Sequence, residues 1–329
     1  MKLWKIACAL ALCLSLSACG SAPAESAERP AGTEALTAGL PPAPAADAPS
    51  LAEDEEPAVL TCRIVDGAEN GDLLLAELGE GPYGGAGVYR LNLWNGGPRA
   101  DILYGDRPAG KSRPMTVPVY LDGELADAAA LEDGMPVEVA FNGFVAESFP
   151  ARLGEVDSVS AWSRGQGRNL MGTTYDLCGL YLQVLDDLWQ KDPGLNEDIK
   201  LAGLDLSRAP GELTESEKAA LAWRFGEMHG VEVVTGTFEE LEEQGYFTAG
   251  PLGEGAPEGA AFLHWEDGCL FSITPNEDHE GEMYSLPVIF FNAEKWRSPL
   301  GAYCFYDCSA MWAQAGTWGG YQIGGEMIS

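Results

Sequence analysis

TESEKAALAWRFGEMHG, residues 214–230, decides the fold class. Thr214 and Glu217 form a capping box: the Thr hydroxyl takes one free amide of the first turn and the Glu carboxylate reaches back to another. Gly230 supplies the C-terminal stop. A helix over 215–229 follows. On its N-terminal side, Leu177, Leu180, Tyr181, Val184, Leu185 and Leu188 recur at i, i+3 and i+4 spacing, which predicts a helix over 176–191. Asp192-Pro193-Gly194 ends it. On the C-terminal side, Thr237-Phe238-Glu239-Glu240 repeats the capping pattern for a short helix closing at Gly245.

Strand signals come after these helices. Runs at 262–265 and 269–274 flank Glu266-Asp267-Gly268 and read as a hairpin. Residues 286–292, 301–307 and 318–323 read as further strands. Residues 169–329 are therefore expected to be an α+β domain, helices first and an antiparallel sheet after.

Residues 58–162 have a different rhythm. Apolar runs at 59–65, 72–78, 88–94, 117–121, 137–141 and 155–162 alternate with turn signals, among them Asn95-Gly96, Asp122-Gly123 and Asn142-Gly143. Five or six short strands with little helix predict a small barrel or sandwich. The segment Asp133-Gly134-Met135-Pro136-Val137-Glu138-Val139, followed by Ser148-Phe149-Pro150-Ala151, resembles small OB-like barrel domains of unknown function in Gram-positive lipoproteins. That resemblance implies an N-terminal OB-like β-barrel and no reaction. Residues 169–205, with Ala293-Glu294-Lys295-Trp296-Arg297 and the ending Met327-Ile328-Ser329, resemble an uncharacterised domain of secreted proteins from Gram-positive gut bacteria. It implies no catalytic residues.

The first 18 residues carry the parts of an export signal. Lys2 and Lys5 form a positive start, and residues 6–16 are apolar but for Ser15. That core is short of the about 20 residues a stable span needs and suits a signal peptide. Leu16-Ser17-Ala18-Cys19-Gly20 resembles a lipobox, which implies cleavage before Cys19 and lipid on its thiol. The expected location is the extracytoplasmic face of the cell membrane. Residues 19–57 then hold the lipidated cysteine and a tether dominated by Ala, Pro, Glu and Ser, with no aromatic residue. Such a composition cannot offset the entropy of ordering, and residues 20–57 as flexible coil would reach roughly 35 Å on average.

Charge narrows the partners. The chain holds 19 basic and 51 acidic residues, for a formal charge of −32, and loss of Lys2 and Lys5 with the signal would deepen it. Nucleic acid is excluded as a partner; an envelope polymer or a protein remains, and a monomer is expected. One loop runs against the trend: residues 95–115 carry Arg99, Arg107, Lys111 and Arg113 against Asp101 and Asp106. Beyond Cys19 there are five cysteines: Cys62, Cys178, Cys269, Cys304 and Cys308. An odd number cannot pair fully within one chain. Cys304 and Cys308 on one strand would stand about 13 Å apart, too far for a disulfide. A bridge from Cys269 to one of them stays open, but buried, reduced thiols are the expectation.

Chemistry is scarce. With His229, His264 and His279 as the histidines, there is no zinc hydrolase pattern, and His229 reads as a helix-end residue. Asn276-Glu277-Asp278-His279-Glu280-Gly281 matches a calcium loop at its first, third, fifth and sixth positions, but Pro287 stands where a bidentate Glu is required. Gly79-Glu80-Gly81-Pro82-Tyr83-Gly84 lacks the helix that a dinucleotide loop needs and reads as a hairpin loop. No nucleophile elbow, Walker loop or S-x-x-K is present. No metal or cofactor is therefore expected. Aromatic residues crowd the C-terminal strands, and Trp296, Arg297, Trp312 and Trp318 are the candidate binding residues, for a sugar or peptide face. The expected function is non-enzymatic ligand or partner binding at the envelope. A surface hydrolase with paired carboxylates and a structural spacer are the alternatives.

Overall fold

The structure, a computed structural model, describes residues 57–79, 86–94, 117–163, 177–250, 262–280, 287–312 and 318–329. The signal segment, Cys19, the tether to residue 56, most of the Gly79–Gly84 motif and the basic loop's arginines and lysine lie outside them. Asp54–Ser329 form one compact unit.

Nine strands build the N-terminal sheet: β1 (Ala58–Asp66), β2 (Asp72–Glu77), β3 (Val88–Asn92), β4 (Val119–Leu121), β5 (Glu124–Ala126), β6 (Pro136–Phe141), β7 (Val145–Ala146), β8 (Ala151–Leu153) and β9 (Val156–Ala161). Their order is β5-β4-β9-β6-β1-β2-β3-β8-β7. This is an open path, not the closed barrel expected. Asp122 and Gly123 both take positive φ, 52° and 87°, and join β4 to β5 in the tight hairpin that this pair favours. Asn142-Gly143 turns the chain too, but β6 pairs with β1 and β9 while β7 pairs with β8.

Among the described residues, the C-terminal part has three α-helices, α1 (Cys178–Gln190), α2 (Glu215–His229) and α3 (Phe238–Glu243). Its main sheet contains β10 (Leu201–Asp205), β11 (Glu232–Thr235), β14 (Gly268–Pro275), β15 (Val288–Ser298), β16 (Gly301–Trp312), β17 (Trp318–Gln322) and β18 (Gly325–Ile328). The order is β11-β10-β14-β15-β16-β17, with β18 also on β16. β12 (Thr248–Gly250) and β13 (Phe262–His264) make a separate pair. The fold is thus mixed α+β, rich in sheet. Two expectations are corrected. Helices do not all precede strands: β10 falls between α1 and α2, and β11 between α2 and α3. The sheet is mixed, because β10 runs parallel to both β11 and β14. The expected hairpin around Glu266-Asp267-Gly268 is also absent. Trp265 is driven into an apolar cluster with Leu241, Phe247 and Leu270, and the Asp267 carbonyl accepts from Lys200 and Leu201 amides, so β14 lines up with β10 instead of with β13.

The helices α1 and α2 lie between the two sheets. Val65, Leu74, Ala76 and Val88 of the first sheet belong to the same buried cluster as Tyr181, Leu185, Leu221 and Phe225 of the helices and Phe271 and Phe305 of the second sheet. The opposite face of the first sheet, with Ile64, Leu73, Leu75 and Leu91, closes a second core. This explains the unbroken Leu73-Leu74-Leu75-Ala76 run, since a strand buried on both faces loses the polar alternation.

Polar contacts fix α2 against the first sheet. Arg63 and Glu217 are each about 2 % exposed, and Arg63 Nε donates to Glu217 Oε1 at 2.7 Å. Arg63 also donates to the Gly134 carbonyl at 3.0 Å. The other Glu217 oxygen accepts from the Thr214 amide at 2.8 Å, so one carboxylate serves as cap and as interface anion. Gly87 N donates to Ser216 Oγ, Arg224 pairs with Asp66 at 2.7 Å, and Arg90 lies over the Trp223 ring. Deeper in, Lys295 is wholly buried. Its ammonium donates to the carbonyls of Trp189, Lys191 and Asp192 and to Asn196 Oδ1. A cation is thereby placed on the carbonyl end of α1, where the helix dipole favours one.

Candidate functional site

Where β10 and β11 end, the chain leaves in opposite directions. Ala202, Leu204 and Val233 pack with α1 and α2 on one face. Leu201 and Val234 pack with the α3 and Trp265 cluster on the other. From β10 the chain proceeds to α2; from the neighbouring parallel strand β11 it proceeds to α3. Open sheets with parallel strands bind ligands in the crevice beyond such carboxyl ends.

A crevice of about 430 Å³ occupies that position. Asp205, Leu206 and Ser207 come from the end of β10. Glu215, Lys218 and Ala219 come from the first turn of α2. Thr235, Gly236, Thr237 and Glu240 come from the end of β11 and the start of α3, and Ala86 closes the side toward the first sheet. The walls are held by local bonds. Asp205 Oδ1 accepts from Ser207 N at 3.0 Å and from Ser207 Oγ at 2.6 Å. Lys218 Nζ donates to Glu215 at 2.8 Å. Glu240 Oε2 accepts from the Thr237 amide at 2.9 Å, and Thr237 Oγ1 from the Glu240 amide.

The lining presents three carboxylates, three hydroxyls and one ammonium, with no aromatic ring. It can hydrogen-bond a polar ligand rich in donors. It pairs a hydroxyl with a carboxylate at Ser207 and Asp205, but His229, His264 and His279 all lie outside the lining. The carboxyls that burial raises above their ordinary range are Glu77, Asp187 and Glu294, and none of them lines the crevice. Glu77 sits behind it, where the Tyr89 hydroxyl donates to its carboxylate at 2.9 Å and partly offsets the effect of burial.

The four residues singled out in the sequence are not brought together here. Trp296 packs edge-on against Phe238 and Phe247, with centroids 4.9 and 5.0 Å away. Arg297 spends its guanidinium on the carbonyls of Trp265, Leu195, Glu197 and Glu266, bracing two loops. Trp312 and Trp318 are a cross-strand pair of β16 and β17, 5.6 Å apart and edge-to-face. Cys19 lies outside the described residues.

Elsewhere, His229 stacks on Trp189 at 4.1 Å and meets Phe225 edge-on. Burial holds its imidazole below the ordinary value despite Asp186 at 3.6 Å. The acidic segment after β14 forms one short turn, Glu277–His279, capped by Asn276. His279 lies on Phe290 and bonds Asp307 at 2.8 Å, and Arg208 pairs with Glu277. Among the described residues no group of three His, Cys, Asp or Glu side chains could hold a metal ion. No disulfide joins Cys62, Cys178, Cys269, Cys304 or Cys308 to another described cysteine, and no described helix is long and apolar enough to cross a membrane.

What the sequence reading missed is β10 and β11 themselves, and with them every crevice residue at their ends. Leu201-Ala202-Gly203-Leu204 and Val231-Glu232-Val233-Val234 were the available signals: short runs rich in apolar residues, the second directly after the Gly230 helix stop. No protein-family model, curated protein or solved structure matches the chain.

Proposed function

We propose that this chain is an exported lipoprotein, anchored through lipid on Cys19 to the extracytoplasmic face of the cell membrane, whose folded body binds a small polar ligand. The crevice at the carboxyl ends of β10 and β11 carries the binding part of the reading. Its carboxylates and hydroxyls suit a ligand bearing amines and hydroxyls, such as an amino sugar or an amino alcohol. The anchor rests on Lys2, Lys5, the apolar run that follows and Leu16-Ser17-Ala18-Cys19-Gly20. The N-terminal sheet, with β1 flanked by β2 and β6, is read as an opened relative of the small OB-like barrel that its sequence resembles, lending the crevice a wall and supplying no reaction.

Titration calorimetry of the full chain in detergent against amino sugars, neutral sugars, polyols and amino acids tests the binding. Millimolar or tighter affinity for an amine-bearing compound, lost in Asp205→Ala and in Glu240→Ala, is expected. Failure of the whole set to bind favours a structural spacer, and turnover of a glycan, peptide or ester favours a hydrolase. Cys19→Ser tests the anchor: palmitate labelling and membrane retention should both disappear, and their persistence refutes it.

A further inference from the structure

We infer that the outer edge of β11 and the groove beside it dock an extended, basic peptide segment of a partner protein, which adds to the seven-stranded sheet as a new edge strand. Parallel pairing fixes which groups are free. Glu232 N donates to Lys200 O at 3.0 Å, and Gly236 N donates to Leu204 O at 3.2 Å. Residues 232, 234 and 236 therefore face β10, and by the alternation of a strand Val233 and Thr235 turn their amides and carbonyls outward. Among the described residues no strand pairs with that side of β11. Two donors and two acceptors thus stand in register for an incoming chain.

The groove beside this edge, about 410 Å³, has an apolar floor and an acidic rim. Trp223 and Val233 line it from α2 and β11, together with Phe149, which is 60 % exposed. Glu227 and Glu232 line it as well. The groove meets the crevice at Ala219 and Thr235, which line both, so Asp205, Glu215 and Glu240 extend the negative field along the same track. A strand that buries alternate apolar side chains on the floor would direct its remaining side chains to the other face of the sheet, the side of Glu232 and of Glu240 on α3, and these should be Lys or Arg. Charge also selects against the alternatives. A second copy of this chain carries −32, and this chain's own Glu53-Asp54-Glu55-Glu56 is acidic; both are repelled. Charged residues on an edge strand guard against self-pairing, and acidic ones leave a basic strand admissible.

Fluorescence anisotropy tests this with the full chain in detergent and two labelled peptides, one alternating Lys with Val and one alternating Glu with Val. The basic peptide should bind at micromolar to sub-millimolar concentration, weaken as salt rises, and outbind the acidic peptide at least tenfold. Val233→Pro removes an outward amide and no ladder bond, a substitution that an edge strand tolerates. It should lower affinity tenfold or more in a chain that still melts cooperatively, at a somewhat lower temperature because Val233 also packs against the core, and Glu232→Lys should lower affinity too. If Val233→Pro unfolds the protein, backbone N-methylation of the basic peptide at alternate residues makes the same test on the unmodified chain. Equal binding of the two peptides, unchanged affinity in folded Val233→Pro, indifference to N-methylation in either register, or no binding at 1 mM overturns the inference.

Discussion

Replacing Arg63 with Met leaves the Glu217 carboxylate where the fold has put it: about 2 % exposed, between β1 and the first turn of α2. The surrounding contacts set the magnitude. The carboxylate keeps the Thr214 amide at 2.8 Å but loses the guanidinium at 2.7 Å, and the Gly134 carbonyl loses its donor at 3.0 Å. Breaking one partner out of a buried ion pair costs about 3–5 kcal/mol, because the remaining charge stays uncompensated. Against a typical unfolding free energy of about 5–15 kcal/mol, that is enough to move a denaturation midpoint far.

The cost should depend on the partner. Glu217→Gln alone leaves a buried guanidinium on one amide oxygen and the Gly134 carbonyl, and should also cost a few kcal/mol. In Arg63→Met with Glu217→Gln neither charge remains, and the amide still reaches the Thr214 backbone. The double variant should therefore lose clearly less than the two single variants summed, by about 2 kcal/mol or more. Urea denaturation is the assay, since guanidinium chloride would screen the pair. A loss under about 1 kcal/mol in Arg63→Met, or additive losses in the double variant, would show that water reaches the pair and that it does not key the helix to the sheet.

Three further outcomes follow from the packing. A Cβ on Gly203 would stand 2.8 Å from the Trp265 ring and 3.0 Å from Leu270, so Gly203→Ala should cost about 1–3 kcal/mol through overpacking, measured by thermal or urea melts. His229 is held below its ordinary 6.5 by burial; between that lowered value and 6.5 the unfolded chain binds more protons, so stability is full above 6.5 and falls as pH drops through the window. His229→Phe, which keeps a ring against Trp189, should flatten that slope in melts taken from pH 7 to 5. Burial pushes the thiols of Cys269 and Cys308 up to about 12 and that of Cys304 up to about 11, so a fragment starting at residue 57, which holds five cysteines, should react slowly with Ellman's reagent when native and release five thiols on denaturation; release of three would reveal a disulfide.

Elements set by neighbours in the chain were legible, and elements set by partners far away were not. Both capping boxes and the Gly230 stop could be read because Thr214 and Glu217, or Thr237 and Glu240, satisfy each other across three residues. The Asp122-Gly123 hairpin is equally local. β10 and β11 are short strands whose pairing is parallel, so α2 must first pack on one face before they can meet, and no local pattern announces that. The hairpin expected at Asp267 failed for the same reason: burial of Trp265 and the arrival of β10 outweigh a favourable turn sequence. Trp296 and Arg297 illustrate the limit on site reading. An aromatic beside a cation looks like a recognition pair, yet here one fills a core and the other braces loops through four carbonyls.

The capping boxes also decide the chemistry of the crevice. Helix starts beside the ends of parallel strands ordinarily attract phosphate, because free amides and the helix dipole both favour an anion. Here Thr214 and Glu217 take two of the free amides at α2, and Thr237 and Glu240 take two at α3. Glu215 and Glu240 add charge to the lining, against a single Lys218 already bonded to Glu215. The capping boxes that make these helices recognisable in the sequence thus take part of the donors a phosphate would use. An anion would meet repulsion where the topology alone would welcome it. A cationic or hydroxyl-rich ligand meets acceptors, and the negative field continues along β11 to Glu232. The sign of that field is thus the common ground of both proposals, the amine-bearing ligand in the crevice and the basic strand at the edge.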